Sequence, residues 1–437
     1  MSEPDARNTD KPLGFWKCWA MSAGVMIGSG VFLLPAVLAP YGSISFLGWL
    51  LTSVGAIVIA LTLGRLAGRT NESGGFYVYV DDAFGPLAGF IVGWSYWAST
   101  VFAIAAISVA FAGYLGALAP FLAGHNVLQG AVAAIMIWLI TGVNIRGVAD
   151  AASTQLVMTV LKIIPLLMIV GLAVVSGDVS NVPAFNPQNL PPYQALAATA
   201  LLTMWAFIGI EAGVVAADQV RDARRTIPRA IITATLSVAA LYIAATAAVM
   251  FLLPPAQLAI SEAPFSDAAA QFGALGPPII AIGALISTAG SLNGNVFIAG
   301  QMPMAAARHG GAPAGLAFRN AGGAPSRALF MSSAFATALI VLNYADGLVA
   351  AFTFLISMST LGTLLPYALS ALAEIKHSIA SAKAWTVIAL IALAYAIIAM
   401  AGAGIETLLW GLILIGAGLP VFFLSRQAAK RDMDGKQ

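Results

Sequence analysis

Runs of roughly 20 apolar residues recur along this whole chain, and that is the length an α-helix needs to cross the hydrocarbon of a bilayer. Such a chain has few options. Backbone N–H and C=O groups find no water in lipid, so only helices and closed barrels span it, and unbroken runs of this length read as helices. Composition agrees: 60% of the 437 residues are hydrophobic and 9% are charged, against about 25% charged in soluble domains. The runs predict an all-α integral membrane fold of about twelve spans. They lie at 15–39, 43–66, 87–118, 127–143, 154–175 and 193–217, then at 231–253, 277–306, 329–342, 348–373, 384–400 and 408–424.

No stretch has the composition of a soluble domain. One membrane domain over 15–425 is expected, with short tails at 1–14 and 426–437. The first tail is polar and lacks the charged-then-apolar pattern of a cleaved signal peptide. Cys18 is the single cysteine, so neither an intramolecular disulfide nor a Cys-based metal site can form. A net charge of +2 gives no reason to expect nucleic acid. The expected partners are the lipid bilayer and a small molecule, with no cofactor and no metal; a homodimer is allowed but not required.

Basic residues test the span map. Arg7, Lys11 and Lys17 precede or open span one, Arg65 and Arg69 close or follow span two, Arg146 follows span four, and Arg221, Arg224, Arg225 and Arg229 follow span six. Arg308, Arg319 and Arg327 follow span eight, Lys376 and Lys383 follow span ten, and Arg426, Lys430, Arg431 and Lys436 close the chain. Loops after odd-numbered spans hold no Lys or Arg. The positive-inside rule therefore predicts a multi-pass protein of the inner membrane with both termini cytoplasmic. Lys162, inside span five, is the basic residue this pattern leaves over, and Glu211, late in span six, is the carboxylate placed near membrane depth. An ionisable group inside a span is a functional candidate by default.

Span one carries Gly24-Val25-Met26-Ile27-Gly28-Ser29-Gly30-Val31-Phe32. Glycine costs a helix about 1 kcal/mol relative to alanine, so a break is expected here. Gly24 and Gly28 could instead be a small-residue face for close packing. Span six carries Gly209 and Gly213 around Glu211. Five spans after the first, it occupies the same place in a second, inverted group of five (repeats at about 15–175 and 193–373, extra helices at 384–424). Interrupted helices in corresponding positions of two inverted halves point to a transporter's binding site. The N–H groups of Ser29, Gly30 and Val31 could then hold a carboxylate. The carbonyls of Met26, Ile27, Trp205 and Ile208 could accept from an ammonium.

Other candidates carry competing readings. Lys162 is either a fixed cation, paired with Glu211 or capping a half-helix, or a titrating one. Glu211 is either a structural acceptor or a proton-linked gate. Tyr96, Ser99 and Thr100 in span three and Asn295 in span eight are polar groups at membrane depth, each alone more often helix glue than ligand. Tyr77, in the aromatic segment after span two, is either an interfacial anchor or part of a gate.

At these residues the chain resembles the amino acid–polyamine–organocation superfamily, most closely its basic amino acid/polyamine antiporters. The resemblance runs through the whole chain. It is carried by Gly28-Ser29-Gly30-Val31-Phe32 through Ala36, Gly74-Gly75 with Tyr77 and Tyr79, Phe84-Gly85-Pro86, Trp205 through Glu211, Gly290-Ser291-Leu292 and Ala299-Gly300-Gln301. It implies a twelve-helix 5+5 inverted-repeat fold of the LeuT type with helices one and six unwound. It also implies that Ser29 and Gly30 hold a carboxylate, that the backbone at Met26, Trp205 and Ile208 holds an amine, and that the Trp205 ring, Glu211, Tyr96 and Tyr77 serve as gates. Two positions depart from an arginine/agmatine antiporter: Asn295 replaces a stacking tryptophan and Ile104 replaces an asparagine. A third, Lys162, resembles the span-five lysine of sodium-independent amino acid transporters.

The expected function is a sodium-independent secondary transporter, antiporter or proton-coupled permease, of amino acids or related amines, not optimised for arginine. An arginine/agmatine-type exchanger is the alternative, and a channel or non-transporting sensor a remote one. No enzyme is expected: the spans contain neither a nucleophile–base pair nor a His–Glu–x–x–His metal motif.

Overall fold

The computed structural model describes residues 14–28, 30–69, 75–146, 152–210, 223–308, 310–343 and 347–434; within it, the side chains at 17, 21, 152–160, 223–224 and 429–434 are not described. Each apolar run named above is mainly helical so far as its residues are described. The order is α1 (Phe15–Met26), α2 (Gly30–Leu38), α3 (Ser45–Ala67), α4 (Phe76–Phe84), α5 (Pro86–Leu118), α6 (Asn126–Arg146), α7 (Ala152–Ser176) and α8 (Pro192–Met204). Then follow α9 (Ala223–Leu252), two short helices α10 (Pro255–Ile260) and α11 (Pro264–Ala268), α12 (Gly276–Arg308), α13 (Ser326–Asn343), α14 (Leu348–Ser378), α15 (Lys383–Ala401) and α16 (Gly404–Asp434). Among the described residues, nine stretches are long and apolar enough to cross a membrane, and no strand occurs.

The core is built on α5. Its middle, from Trp97 to Ala110, is buried throughout, and it packs most extensively against α12 and α14. Both partners contain a proline, which removes one N–H and frees the carbonyl four residues earlier. In each case a serine from a neighbouring helix donates to that carbonyl. Pro366 in α14 frees Gly362 O, which accepts from Ser95 Oγ of α5 at 2.8 Å. Pro303 in α12 frees Ala299 O, which accepts from Ser332 Oγ of α13 at 2.9 Å. The indole Nε1–H of Trp97 then donates to Ser332 Oγ at 2.9 Å. Bends in lipid are thus repaired from across a helix interface, because no water can do it.

A second hydroxyl joint ties α3, α8 and α15. Thr52 Oγ1 and Thr203 Oγ1 lie 2.7 Å apart, and Tyr395 Oη donates to Thr52 Oγ1 at 3.1 Å. Arg69, just past α3, pairs with Glu374 of α14 at 2.8 Å. The Glu374 side chain is fully buried. Lys376 donates to the carbonyl of Ala83 at 2.5 Å, pinning the short helix α4 to α14.

The Ser332 joint makes a direct prediction. Ser332→Ala removes the partner of two buried groups, Ala299 O and Trp97 Nε1, whereas Ser95→Ala removes the partner of one. Each orphaned group costs roughly 1–3 kcal/mol. The melting temperature of purified protein should therefore fall further for Ser332→Ala than for Ser95→Ala.

Candidate functional site

Helix α1 stops at Met26. Ile27 has φ −72° and ψ 89°, outside the helical region, and its N–H makes the last helical bond, to Ala23 O at 2.8 Å. The helix resumes at Gly30 as α2. Met26 and Ile27 are both buried, so the freed carbonyls need partners within the protein. Lys162 Nζ of α7 donates to Gly24 O at 3.2 Å, and Tyr242 Oη of α9 donates to Met26 O at 2.7 Å. An ammonium at the C-terminal end of α1 also meets the negative end of the helix dipole. Lys162 is 4% exposed, and it forms no ion pair among the described residues.

The second helix is interrupted in the same way. Helix α8 ends at Met204, Trp205–Phe207 form a single 3₁₀ turn, and Ile208 is extended at φ −60° and ψ 130°. Gly209 follows at φ +109°, a conformation that strains any residue with a side chain. A Cβ at Gly209 would also collide with Val25 Cγ1 of α1. A Cβ at Gly30 would lie 2.9 Å from Trp205 Cδ1 and 3.4 Å from Ala206 Cα. The two breaks therefore press against each other at two points, with glycine making each approach possible. Helix α12 forms a third wall: a Cβ at Gly28 would lie 2.6 Å from Ser291 Oγ.

The expected site residues divide into two groups. Met26, Ile27, Gly30 and Trp205 come together at the paired breaks, with Ile208 in the second break, and Lys162 reaches the first through Gly24. On α5, Ser99 Oγ donates to Ser359 O at 2.7 Å and lies 2.5 Å from Thr363 Oγ1, so its bonding joins α5 to α14. Thr100 Oγ1 donates to Tyr96 O at 2.8 Å within its own helix. Ile104 is fully buried. The Tyr96 ring meets Phe76 of α4 at 5.2 Å, and Tyr77 lies on α4. Asn295 Nδ2 donates to Ser291 O at 2.9 Å, one turn back on α12. Ser29 and Glu211 lie outside the described residues. The sequence reading missed two contributors, Tyr242 and Ser291. A lone phenol deep in the alanine-rich run of α9 was the available signal for Tyr242. Ser291 stood in the sequence only within the Gly290-Ser291-Leu292 motif, with no role attached, and the tertiary approach of α12 to Gly28 supplies one.

The profile of the amino acid permease family matches residues 13–401. The chain belongs to the amino acid permease family. The permease is 30% identical to the putrescine transporter PotE of Haemophilus influenzae, over 91% of this chain and 93% of that protein. It is also 30% identical to a cadaverine/lysine antiporter of Escherichia coli, over 82% of each. It is a multi-pass membrane protein and a secondary transporter of amino acids or amines, not an enzyme.

The contact between Lys162 and the broken end of α1 generates a prediction. Lys162→Ala removes the cation that caps this end. Uptake into proteoliposomes should fall at least about tenfold, the equivalent of some 1.4 kcal/mol, with folded protein still recovered from the membrane. Unchanged uptake at every pH would remove Lys162 from the mechanism.

Proposed function

We propose that this permease is a sodium-independent antiporter or proton-coupled permease that moves amino acids or related amines by alternating access. The fold is read as about twelve spans with a 5+5 inverted repeat of the LeuT type. Both termini are cytoplasmic in this reading, in the inner membrane, because Lys and Arg fall in alternate loops. The single observation that carries the proposal is the direct abutment of the two breaks through Gly30 and Gly209. One break offers a helix N-terminus to an anionic group, and both offer carbonyls to a cationic one. That is the complement of an α-amino acid. Met26 O accepts from Tyr242 and keeps a second lone pair for an ammonium.

Lys162 on Gly24 O supports sodium independence, since a fixed ammonium stands where a coupling cation would meet the unwound carbonyls. Glu211, Tyr96 and Tyr77 are the proposed gating residues, with Ser29 completing the carboxylate site. The relatives' substrates, putrescine and the lysine–cadaverine pair, support the amine and amino acid class. Ile104 and Asn295 favour a substrate smaller or more neutral than arginine. Ile104 supplies no polar atom, and Asn295 donates to its own helix. Without an aromatic platform, a guanidinium loses a stacking contact that is worth up to about 2 kcal/mol when desolvated. The second reading, a basic exchanger of the arginine/agmatine type, is favoured by the identity to amine and lysine transporters.

Radiolabel exchange in proteoliposomes tests both readings. Neutral or small amino acids should compete more strongly than arginine and agmatine, and replacing sodium with choline should leave uptake unchanged. Arginine and agmatine outcompeting every neutral amino acid would establish the second reading.

A further inference from the structure

We infer that the Trp205 indole N–H and the Ser291 hydroxyl are donors for the substrate's carboxylate, and that they set the preference for an amino acid over its decarboxylated amine. The inference rests on the reading above, that the paired breaks form the substrate site.

Buried polar groups in folded proteins are almost always paired. Trp205 is 7% exposed, yet its Nε1 has no hydrogen-bond partner, and Ser291 Oγ is likewise buried and unpartnered. Each lies against one glycine of the first break. A Cβ at Gly30 would sit 3.0 Å from Trp205 Nε1, and one at Gly28 would sit 2.6 Å from Ser291 Oγ. Gly30 opens α2, and the first N–H groups of a helix have no partner within it. Donors from three elements therefore converge on one short gap. An indole N–H is donor only, so whatever completes this arrangement must accept. A carboxylate offers two oxygens and about four lone-pair positions, whereas a protonated amine offers none.

Ser291 also forgoes the usual refuge of a helical hydroxyl. Thr288, on the same helix, donates back to Ala284 O at 2.8 Å. Ser291 makes no such bond and is turned instead toward the break. Both donors are sealed from solvent in this conformation, as befits groups that meet a ligand only when the transport path opens to it.

The test uses purified protein and matched ligands that differ only in the carboxylate: lysine and cadaverine, ornithine and putrescine, arginine and agmatine, leucine and isoamylamine. Affinities are measured for the unmodified permease, Trp205→Phe and Ser291→Ala. Trp205→Phe keeps an aromatic ring and deletes the N–H. In each variant the amino-acid-to-amine affinity ratio should fall about tenfold, the loss expected of one hydrogen bond to a charged group. A ratio within about twofold of the unmodified protein, smaller than any such bond, overturns the inference while leaving the site reading intact. If the unmodified protein binds no member of any pair, the site reading itself fails and the inference with it. The two variants are read independently, so loss of folding in one leaves the other to decide.

Discussion

An amide group in hydrocarbon has no water to bond to, and each interruption of a membrane helix therefore has to be repaired by the protein itself. This constraint organises the permease. At Gly362 and Ala299 the repair is a serine hydroxyl from a neighbouring helix. At the end of α1 it is an ammonium and a phenol, Lys162 on Gly24 O and Tyr242 on Met26 O. The first kind of repair leaves nothing over, since each freed carbonyl and each hydroxyl is used. At the paired breaks the accounting does not close. Gly24 O and Met26 O are covered, but donors at Trp205 and Ser291 are left without acceptors. The imbalance has a sign, and it is the sign an anionic group would cancel.

Polarity along the broken first helix follows the same logic. The C-terminal end of α1 carries partial negative charge and faces Lys162, while the N-terminal end of α2 carries partial positive charge a few residues on. A bound zwitterion would lie between these fields with each end facing its complement. Lys162 reaches the negative end from α7, through Gly24 O, so this end of the break is met by a group of the protein itself.

Much of this was readable in the chain itself. Long apolar runs gave the helices, because span length is set by the bilayer and not by tertiary context. The break at Ile27–Gly28 was legible because glycine clusters are costly inside a membrane helix, and Lys162 stood out because charge at that depth is rare. What escaped was whatever depends on the approach of distant segments. Ser99 and Thr100 were candidates with two readings, ligand or helix glue, and only the packed helices show Ser99 bonded to α14 and Thr100 to its own helix. The serines that cover proline-freed carbonyls are 267 and 33 residues from their partners, so no local pattern reveals them. Tyr242 and Ser291 were missed for the same reason.

The glycines of the breaks also carry a consequence for how such a chain can diverge. Gly28 stands against Ser291, Gly30 against Trp205, and Gly209 against Val25. A methyl group at 28 or 30 forces its opposite to shift, and Gly209 is held to glycine by its positive φ as well. Divergence at 28 and 30 is therefore coupled to the residues opposite: an alanine at 28 needs the serine at 291 to turn away or to be replaced. Gly28 and Gly30 are thus tied to their opposites, whereas Gly209 would stay glycine whatever stands at 25.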